Sequence, residues 1–487
     1  MNTSKLPKHR DYVFRGLTQS LCPVCREVVP AKILVRGKRV YFRKVCPTHG
    51  TREDFICSDV DFYDRVETSL PAKLPQRVYA EVDKGCPYDC GLCTEHEQHT
   101  CVAVIEITDN CNLTCPMCYA DSRPGQKHKP LEDVKQAIDR LVAAEGRPEV
   151  VQLSGGEPTL HPDLLEMIRY AYSLPIDYLM INTNGLRLGQ DPALLEAIAE
   201  YRDRVEIYFQ LDALDDGAIA RLRGQAGLLE RKLNALDRIA DSGLNVTLVS
   251  TLEGGLNDSA PADLLDYAKD KSWVTGLSFQ PATYSGRHEL AEQLERRITF
   301  PDVIKTIATD ERNAYRVDDF FPLPCAHPNC HWISLAMRTS GQLLPLSQVI
   351  DAKANLDLLA NGLSFTREKT SELAKQVMQR MSCGTGAGSG CCGNDLVSLG
   401  NDGSSPEQSV EDFLTLAAAE SIGAKDLLRI TITSFLDVYN FDLRRVMKCC
   451  THHVLPSGHI IPFCAYNVLY RDGTASLPDL VQDSEDR

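Results

Sequence analysis

The sequence predicts an α/β protein centred on a partial (β/α)6 TIM-like barrel, flanked by small cysteine-rich metal-binding modules. Three observations predict it. From about residue 102 to 283, short runs rich in β-branched residues alternate with stretches whose apolar residues recur at helical spacing. The connections between them are short, as parallel βαβ units require. The 19 cysteines of the 487 residues fall in clumps, with almost none in this region after Cys118.

Strands are expected near 102–108, 149–154, 178–183, 205–211, 245–251 and 276–281. Between them LEDVKQAIDRLVAA, PDLLEMIRYAYS, ALLEAIAEY and LLERKLNALDRIADSG read as amphipathic helices. Functional loops belong at the C-terminal ends of such strands. Residues 1–75 form an N-terminal ribbon-like metal module ending in the proline-bearing linker LPAKLPQ. Residues 76–101 are a compact cysteine knot, 102–298 the core, and 299–487 a C-terminal domain with helices near 301–310, 366–381 and 408–420. The glycine-rich run CGTGAGSGCCGN (383–394) lacks G-x-G-x-x-G spacing and joins no strand to a helix, so no dinucleotide site is assigned there.

Lys plus Arg number 52 and Asp plus Glu 67, a net charge of −15 that disfavours a nucleic-acid partner. No apolar run is long enough to span a bilayer, and MNTSKLPKHRDYVFRG has no apolar signal core. Cysteines in such a chain are expected as reduced thiols in the cytoplasm, where they suit metal better than disulfides.

The segment TDNCNLTCPMCYADS places Cys111, Cys115 and Cys118 where the first barrel strand ends. Three thiolates can hold three corners of a four-iron cluster and leave the fourth iron open. The second strand runs into VVQLSGGEPTLHP, where Gly155 and Gly156 permit a tight turn. With its C-x3-C-x2-C spacing followed by GGEP, the chain resembles the radical S-adenosylmethionine (SAM) superfamily. The resemblance implies a [4Fe–4S] cluster whose open iron takes SAM, and a 5′-deoxyadenosyl radical made by one-electron cleavage. It also implies that Tyr119 lies beside the adenine, and that carbonyls of the glycine turn or Glu157 accept from the SAM ammonium. Weaker candidates for cofactor contacts stand at later strand ends: Asn182 with Asn184 in INTNG, Gln210 and Asp212 in FQLDA, Ser250 and Glu253 in VSTLEGG, and Gln280 in SFQPA.

Cys86, Cys90, Cys93 and Cys101 have C-x3-C-x2-C-x7-C spacing and are expected to close an auxiliary [4Fe–4S] cluster, zinc being the alternative. Cys22, Cys25 and Cys46 resemble the knuckles of a rubredoxin or zinc ribbon, holding one iron or zinc with Cys57 as the expected fourth ligand and His49 as the alternative. Cys325 and Cys330 are expected to join Cys464 and one of the adjacent pair Cys449 and Cys450 in a further auxiliary cluster. Cys383, Cys391 and Cys392 receive no role.

Taken together, CPVC, GCPYDCGLC, DNCNLTCPMCY and PFCAYN make the chain similar to the tetraether lipid synthase and pterin-methylase-like branch of the superfamily. That resemblance implies hydrogen abstraction from an unactivated C–H bond followed by C–C bond formation on a lipid chain. This reading calls for an apolar tunnel, an electron donor such as ferredoxin or flavodoxin, and peripheral contact with a membrane. The alternatives are a radical SAM methyltransferase acting on a pterin or other small molecule, which needs a polar pocket, and a non-catalytic iron–sulfur carrier. A peptide-modifying maturase is disfavoured by the absence of a denser cysteine pattern.

Overall fold

The structure is a computed structural model and describes residues 10–288, 294–339, 342–348 and 423–480. The expected helices at 366–381 and 408–420, the glycine-rich run and Cys383, Cys391 and Cys392 lie outside these residues.

Four strands, β1 (Val13–Leu21), β2 (Val28–Arg36), β3 (Arg39–Cys46) and β4 (Gly50–Cys57), form an antiparallel meander in chain order. The turn between β2 and β3 uses Gly37, whose φ of 59° is the left-handed value a tight hairpin needs. Residues 58–101 then cross to the core with only short 3-10 turns.

The six expected barrel strands are all present and parallel: β5 (Val102–Thr108), β6 (Val150–Gly155), β7 (Tyr178–Thr183), β8 (Val205–Gln210), β9 (Asn245–Leu252) and β10 (Val274–Pro281). Helices α1 (Leu131–Glu145), α2 (Leu164–Tyr172), α3 (Pro192–Ala199), α4 (Asp216–Arg223), α5 (Leu228–Asp241) and α6 (Ala260–Ala268) cover the outer face. In α1 the buried residues Val134, Ala137, Ile138, Leu141 and Ala144 recur at three- and four-residue steps, so one stripe seals the sheet. Asp191 and Asp215 cap α3 and α4 by accepting from Leu194 N and Ala218 N. The helix expected at 301–310 is α7 (Phe300–Ala308).

Further on come β11 (Phe321–Pro322), β12 (His331–Thr339), β13 (Gln342–Pro345), β14 (Leu427–Thr433), β15 (Thr451–Val454) and β16 (Ile460–Pro462). Two of these strands enter the barrel sheet itself. β14 pairs parallel with β10, Leu277 opposite Ile430, and β15 pairs parallel with β5, Ala103 opposite His452. The parallel run is therefore β14-β10-β9-β8-β7-β6-β5-β15, two strands more than the six-strand expectation. β12 and β16 continue it antiparallel on either side. The sheet thus runs across residue 298, because the outer edges of β5 and β10 carry backbone groups that need partners.

Among the described residues no helix is long and apolar enough to cross a membrane. A fragment of residues 102–298 expressed alone should aggregate, since both edges of the parallel sheet would be bare; a monodisperse monomer on size-exclusion chromatography would contradict this edge requirement.

Candidate functional site

Strand alternation splits the side chains of the sheet into two sets. Val151, Leu153, Leu179, Ile181, Ile207, Phe209, Leu248, Leu277, Phe279 and Ile430 point outward into the helix-covered core. Their neighbours point inward and line one cavity of about 250 Å³: Val150 and Gln152 on β6, Met180 and Asn182 on β7, Tyr208 and Gln210 on β8, Thr247, Val249 and Thr251 on β9, Ser278 and Gln280 on β10, and Arg429, Thr431 and Thr433 on β14. At the C-terminal end of the strands the cavity is closed by Cys111, Cys115, Cys118, Tyr119, Gly155 and Gly156. All three motif cysteines and both glycines thus meet in one place.

The glycines are required by a close approach. A Cβ on Gly155, whose φ is 120°, would run into the Thr108 carbonyl, and one on Gly156 into that of Asn110. Those same carbonyls accept from Gly156 N at 2.7 Å and Glu157 N at 2.8 Å, so the turn after β6 pins the loop leading into Cys111. Burial pushes the Cys111 thiol up to about 12, so metal must displace its proton to form the thiolate ligand. Among the described residues, Cys22, Cys25, Cys46 and His49 make the one set of potential ligands whose donor atoms all lie within 4.8 Å of one another. Cys111, Cys115 and Cys118 are spread more widely, which suits separate irons of a cluster better than a single ion. The three-thiol set, the glycine cradle and the adjoining cavity fit a [4Fe–4S] cluster with SAM beside it.

The other candidates divide. Tyr119, Asn182, Gln210, Asn184 and Gln280 line the cavity, and Asn184 Nδ2 donates to Asn112 Oδ1 at 2.7 Å, joining the end of β7 to the cysteine loop. Glu157 does not line it. Its carboxylate is fully buried and accepts from Thr159 N and Oγ1 at 3.1 and 2.6 Å, Thr183 Oγ1 at 2.7 Å and Asn184 N at 2.8 Å. The expected contact from Glu157 to the SAM ammonium is corrected accordingly: this residue braces β6 against β7, and only the carbonyl side of the turn is left for a ligand.

Asp212 and Ser250 are likewise fully buried off the cavity wall. Asp212 holds Arg223 bidentately, through Nε at 2.6 Å and through Nη2, while Ser250 Oγ donates to the Asp212 carbonyl at 2.8 Å. Their expected direct cofactor contact is replaced by a supporting one, since the group they present to the cavity is Arg223, against Thr251 Oγ1 at 3.1 Å. Glu253 faces His288 across 3.6 Å.

Arg223 is a functional group that sequence reasoning missed, and so is Lys232. Lys232 is fully buried and donates to the carbonyls of Asn184 at 2.9 Å and Gln210 at 2.6 Å, tying two strand ends together; burial, opposed by nearby Asp212, brings it down to about 8. The signal was available: Lys232 occupies the apolar stripe of α5 with Leu228, Ala235, Leu236 and Ile239. Arg471 pairs with Glu106 through both carboxylate oxygens, at 3.1 and 2.6 Å, and lies 5.5 Å from the Tyr119 ring.

The remaining cysteines regroup. In the N-terminal sheet His49 Nδ1 lies 3.5 Å from both Cys22 Sγ and Cys46 Sγ, and Cys25 Sγ lies 3.8 Å from Cys46 Sγ. The expected fourth ligand, Cys57, is corrected to His49. The reason is register: Cys46 pairs with Gly50 at one end of β3, and Cys57 pairs with Val40 at the other. Six residues of strand separate the two ends by about 20 Å. Cys57 instead donates to the Asp59 carbonyl at 3.4 Å, and burial pushes it up to about 12.

Cys86, Cys90 and Cys93 stay together; burial and then the thiols of Cys86 and Cys93 push Cys90 up. Cys101 leaves this knot. It packs with Cys325 and Cys450, whose thiols push it up further, and its backbone N donates to the Cys450 carbonyl at 2.9 Å. Pairing β15 with β5 imposes this, since Cys101 immediately precedes β5 and Cys450 immediately precedes β15. Cys330, Cys449, Cys450 and Cys464 line a small cavity with Phe435, Leu436 and Phe463, which also wall the barrel lumen. The single C-terminal set expected from sequence thus spreads over two neighbouring groups, Cys101 with Cys325 and Cys330 with Cys449 and Cys464, and Cys450 borders both. His96 and His452 face each other at 3.1 Å nearby, and burial holds both neutral.

The His49 geometry gives a direct test. Cys57→Ser should keep the full metal content of the N-terminal module, and His49→Ala should lose it, read by elemental analysis of the purified variants. Metal lost from Cys57→Ser and kept in His49→Ala would reverse the assignment.

Two family models match the chain in the regions described above. A family model described as the radical SAM superfamily matches residues 105–268, and one described as the HMPTM N-terminal zinc ribbon domain matches residues 14–58. The chain is 30% identical over 488 aligned positions to the 7,8-dihydro-6-hydroxymethylpterin dimethyltransferase of Methanocaldococcus jannaschii, covering 93% of this chain and 94% of the relative. It is 30% identical to a probable GTP 3′,8-cyclase of Thermococcus kodakarensis over 45% of this chain and 70% of that one. The crystal structure of Streptococcus suis SuiB bound to S-adenosylmethionine matches at 17% identity and a TM-score of 0.36, over 43% of this chain and 46% of the other. The motif-bearing domain and the end-to-end relative agree: this chain belongs to the radical SAM superfamily, in the family of the pterin dimethyltransferase-like proteins with an N-terminal zinc ribbon.

Proposed function

We propose that this radical SAM enzyme transfers a methyl-derived carbon to a small hydrogen-bonding heterocycle of the pterin class. The observation that carries this reading is a row of hydrogen-bonding side chains set among the apolar ones of the barrel lumen. Gln152, Asn182, Tyr208, Ser278 and Gln280 present amide and hydroxyl groups to it, and Arg429 stands at the end of the lumen away from the cysteines. Tyr208 O–H and Ser278 Oγ are 2.7 Å apart, and Gln280 Nε2 donates to Tyr208 Oη at 2.9 Å. That network leaves the Gln280 carbonyl and the Gln152 amide to meet a ligand edge. A flat heterocycle carrying N–H and C=O groups can match such a wall. An alkyl chain would desolvate it without pairing it, at about 1–3 kcal/mol per group left unsatisfied.

The full-length relative is named for a pterin, which favours the same class. Neither relative named above carries a lipid in its name, and the apolar tunnel that the lipid reading calls for is interrupted by these side chains.

A [4Fe–4S] cluster held by Cys111, Cys115 and Cys118 supplies, when bound, the electron that splits SAM into methionine and a 5′-deoxyadenosyl radical. The chain's own contributions follow from position. Gly155 and Gly156 offer backbone carbonyls beside the cysteines, and Tyr119 offers an aromatic face. Arg223, fixed by Asp212 and lying beside Cys115, offers its guanidinium to a SAM carboxylate. Asn182 and Gln210, one strand apart, offer hydrogen bonds to the ribose.

The test is anaerobic turnover of the metal-loaded enzyme with a strong reductant and SAM carrying a deuterated methyl group. We expect 5′-deoxyadenosine from the parent and none from Cys118→Ala, with label from a second SAM, which leaves as S-adenosylhomocysteine, entering 6-hydroxymethyl-7,8-dihydropterin on mass spectrometry. Label entering an isoprenoid ether lipid and not the pterin would overturn the substrate class. Unchanged 5′-deoxyadenosine from Cys118→Ala would overturn the cluster assignment.

A further inference from the structure

Among the contacts that join the N-terminal metal module to the elements around the catalytic cavity, one starts inside the metal knuckle itself. Arg26 follows Cys25 directly and sits inside the knuckle, where Arg26 N donates to the Cys22 carbonyl at 2.8 Å and Cys22 N to the Glu27 carbonyl at 2.9 Å. Its φ of 57° is left-handed, a conformation a non-glycine residue keeps only when its surroundings impose it. Here the surroundings are the knuckle that Cys22, Cys25, Cys46 and His49 would close around one ion.

The guanidinium of Arg26 leaves the module. Its Nη1 reaches the Val468 carbonyl at 3.0 Å, Thr474 Oγ1 at 2.6 Å and the carboxylate of Asp472. Val468 lies in the helical run Phe463–Ala465 and Tyr466–Tyr470, and this run reaches the reaction side of the molecule. Phe463 and Asn467 line the cavity, with the Phe463 ring 5.4 Å from that of Tyr119. Asn467 Oδ1 accepts from Arg471 Nε at 2.7 Å, and Arg471 in turn grips Glu106 beside Tyr119. One face of the run is therefore held by Arg26 and the other stands against the cavity wall next to Cys118.

We infer that Arg26 is a positioning residue through which the N-terminal metal knuckle fixes the C-terminal turn beside Tyr119, so that metal in the ribbon sets the order of the SAM site. The ion does no chemistry in this role. It holds the left-handed backbone at residue 26, and with it the direction of the guanidinium nitrogen whose two N–H groups are shared among three acceptors on the C-terminal segment. The inference is independent of which substrate fills the lumen. It requires only that SAM binds near Tyr119.

The experiment uses the full metal-loaded chain and two readouts besides turnover. In Arg26→Ala, metal content should equal that of the parent. Amide hydrogen exchange in peptides covering 463–474 should quicken by about tenfold, the loss expected when a charged hydrogen-bonding group is removed from a local opening equilibrium. Exchange in α1 should not move. SAM affinity by equilibrium dialysis should fall, and Arg26→Lys, which keeps the charge on a shorter reach, should recover part of both effects. His49→Ala should quicken exchange in 463–474 to the same extent, and the double variant should go no further than either single one. Parent-like exchange in 463–474 with Arg26→Ala and metal in place would overturn the latch, whether or not His49→Ala folds. Parent-like SAM affinity despite quickened exchange would overturn its reach to Tyr119. Additive effects in the double variant would show that the metal acts by another route.

Discussion

The parallel pairing of β15 with the free edge of β5 is the contact on which the site depends. β5 ends at Thr108, three residues before Cys111, and begins at Val102, one residue after Cys101. Three backbone pairs, Thr451 with Val102, His452 with Ala103 and His453 with Val104, place both the radical-cluster loop and the C-terminal thiols on one strand's register. A slip of one residue would turn the inward residues of β5 and β15 to the wrong face, because side chains alternate with a period of two. It would also part Cys101 from Cys450. The same pairing brings the Phe463–Ala465 turn against Tyr119, so the first barrel strand and the last described helical run share one wall.

Around that wall the molecule commits charge to internal bracing. Glu157, Asp212, Arg223 and Lys232 are each buried to 6% exposure or less, at strand ends where backbone polar groups lose the partners the sheet gave them. Three of them take up such groups, and Arg223 pairs with one of the three: Glu157 accepts the N–H of Asn184, Lys232 donates to two carbonyls, and Asp212 accepts from Thr251 N at 3.1 Å while holding Arg223. Burying these ions costs several kcal/mol apiece, and pairing returns most of it. The return is geometric. Strand ends that would otherwise fray are fixed relative to one another, and the donors and acceptors of a ligand site must be fixed to be worth more than water.

How much of this could be read from sequence varies with the range of the interaction involved. Strands β5 and β7 match their expected spans to the residue and the other barrel strands to within a residue or two, because period-two and helical patterns are local properties. The cysteine loop and glycine turn were legible for the same reason, each being a short run with a fixed job. Cys57 and Cys101 misled because spacing along the chain does not carry strand register: His49 wins over Cys57 only once β3 and β4 are paired, and Cys101 leaves its neighbours only once β15 lies beside β5. Glu157, Asp212 and Ser250 sit where the motif places them, yet burial turns them from ligands into braces. Arg223 carried no local pattern, and its position depends on α4, a helix of eight residues wedged between β8 and α5.

The C-terminal strands change what kind of barrel this is. A six-stranded open barrel presents a lumen walled on one side only, where a substrate meets solvent or another domain. Here β14 adds Arg429, Thr431 and Thr433 to that lumen, and the region around β15 adds Thr451, Phe463 and Asn467. The cysteine loop and the lumen wall therefore lie on different parts of one continuous sheet: the cysteines and the glycine turn on β5 and β6, and much of the facing wall on strands contributed after residue 420. Since two thiol sets hang from the same late strands, substrate contact and the neighbouring cysteine sites are mechanically one unit. A substitution that re-registers β14 or β15 acts on both at once, whereas exchange of a single inward side chain, such as Gln280 or Thr431, acts on the lumen alone. The lumen can thus be retuned within the family without disturbing the loop that holds Cys111, Cys115 and Cys118.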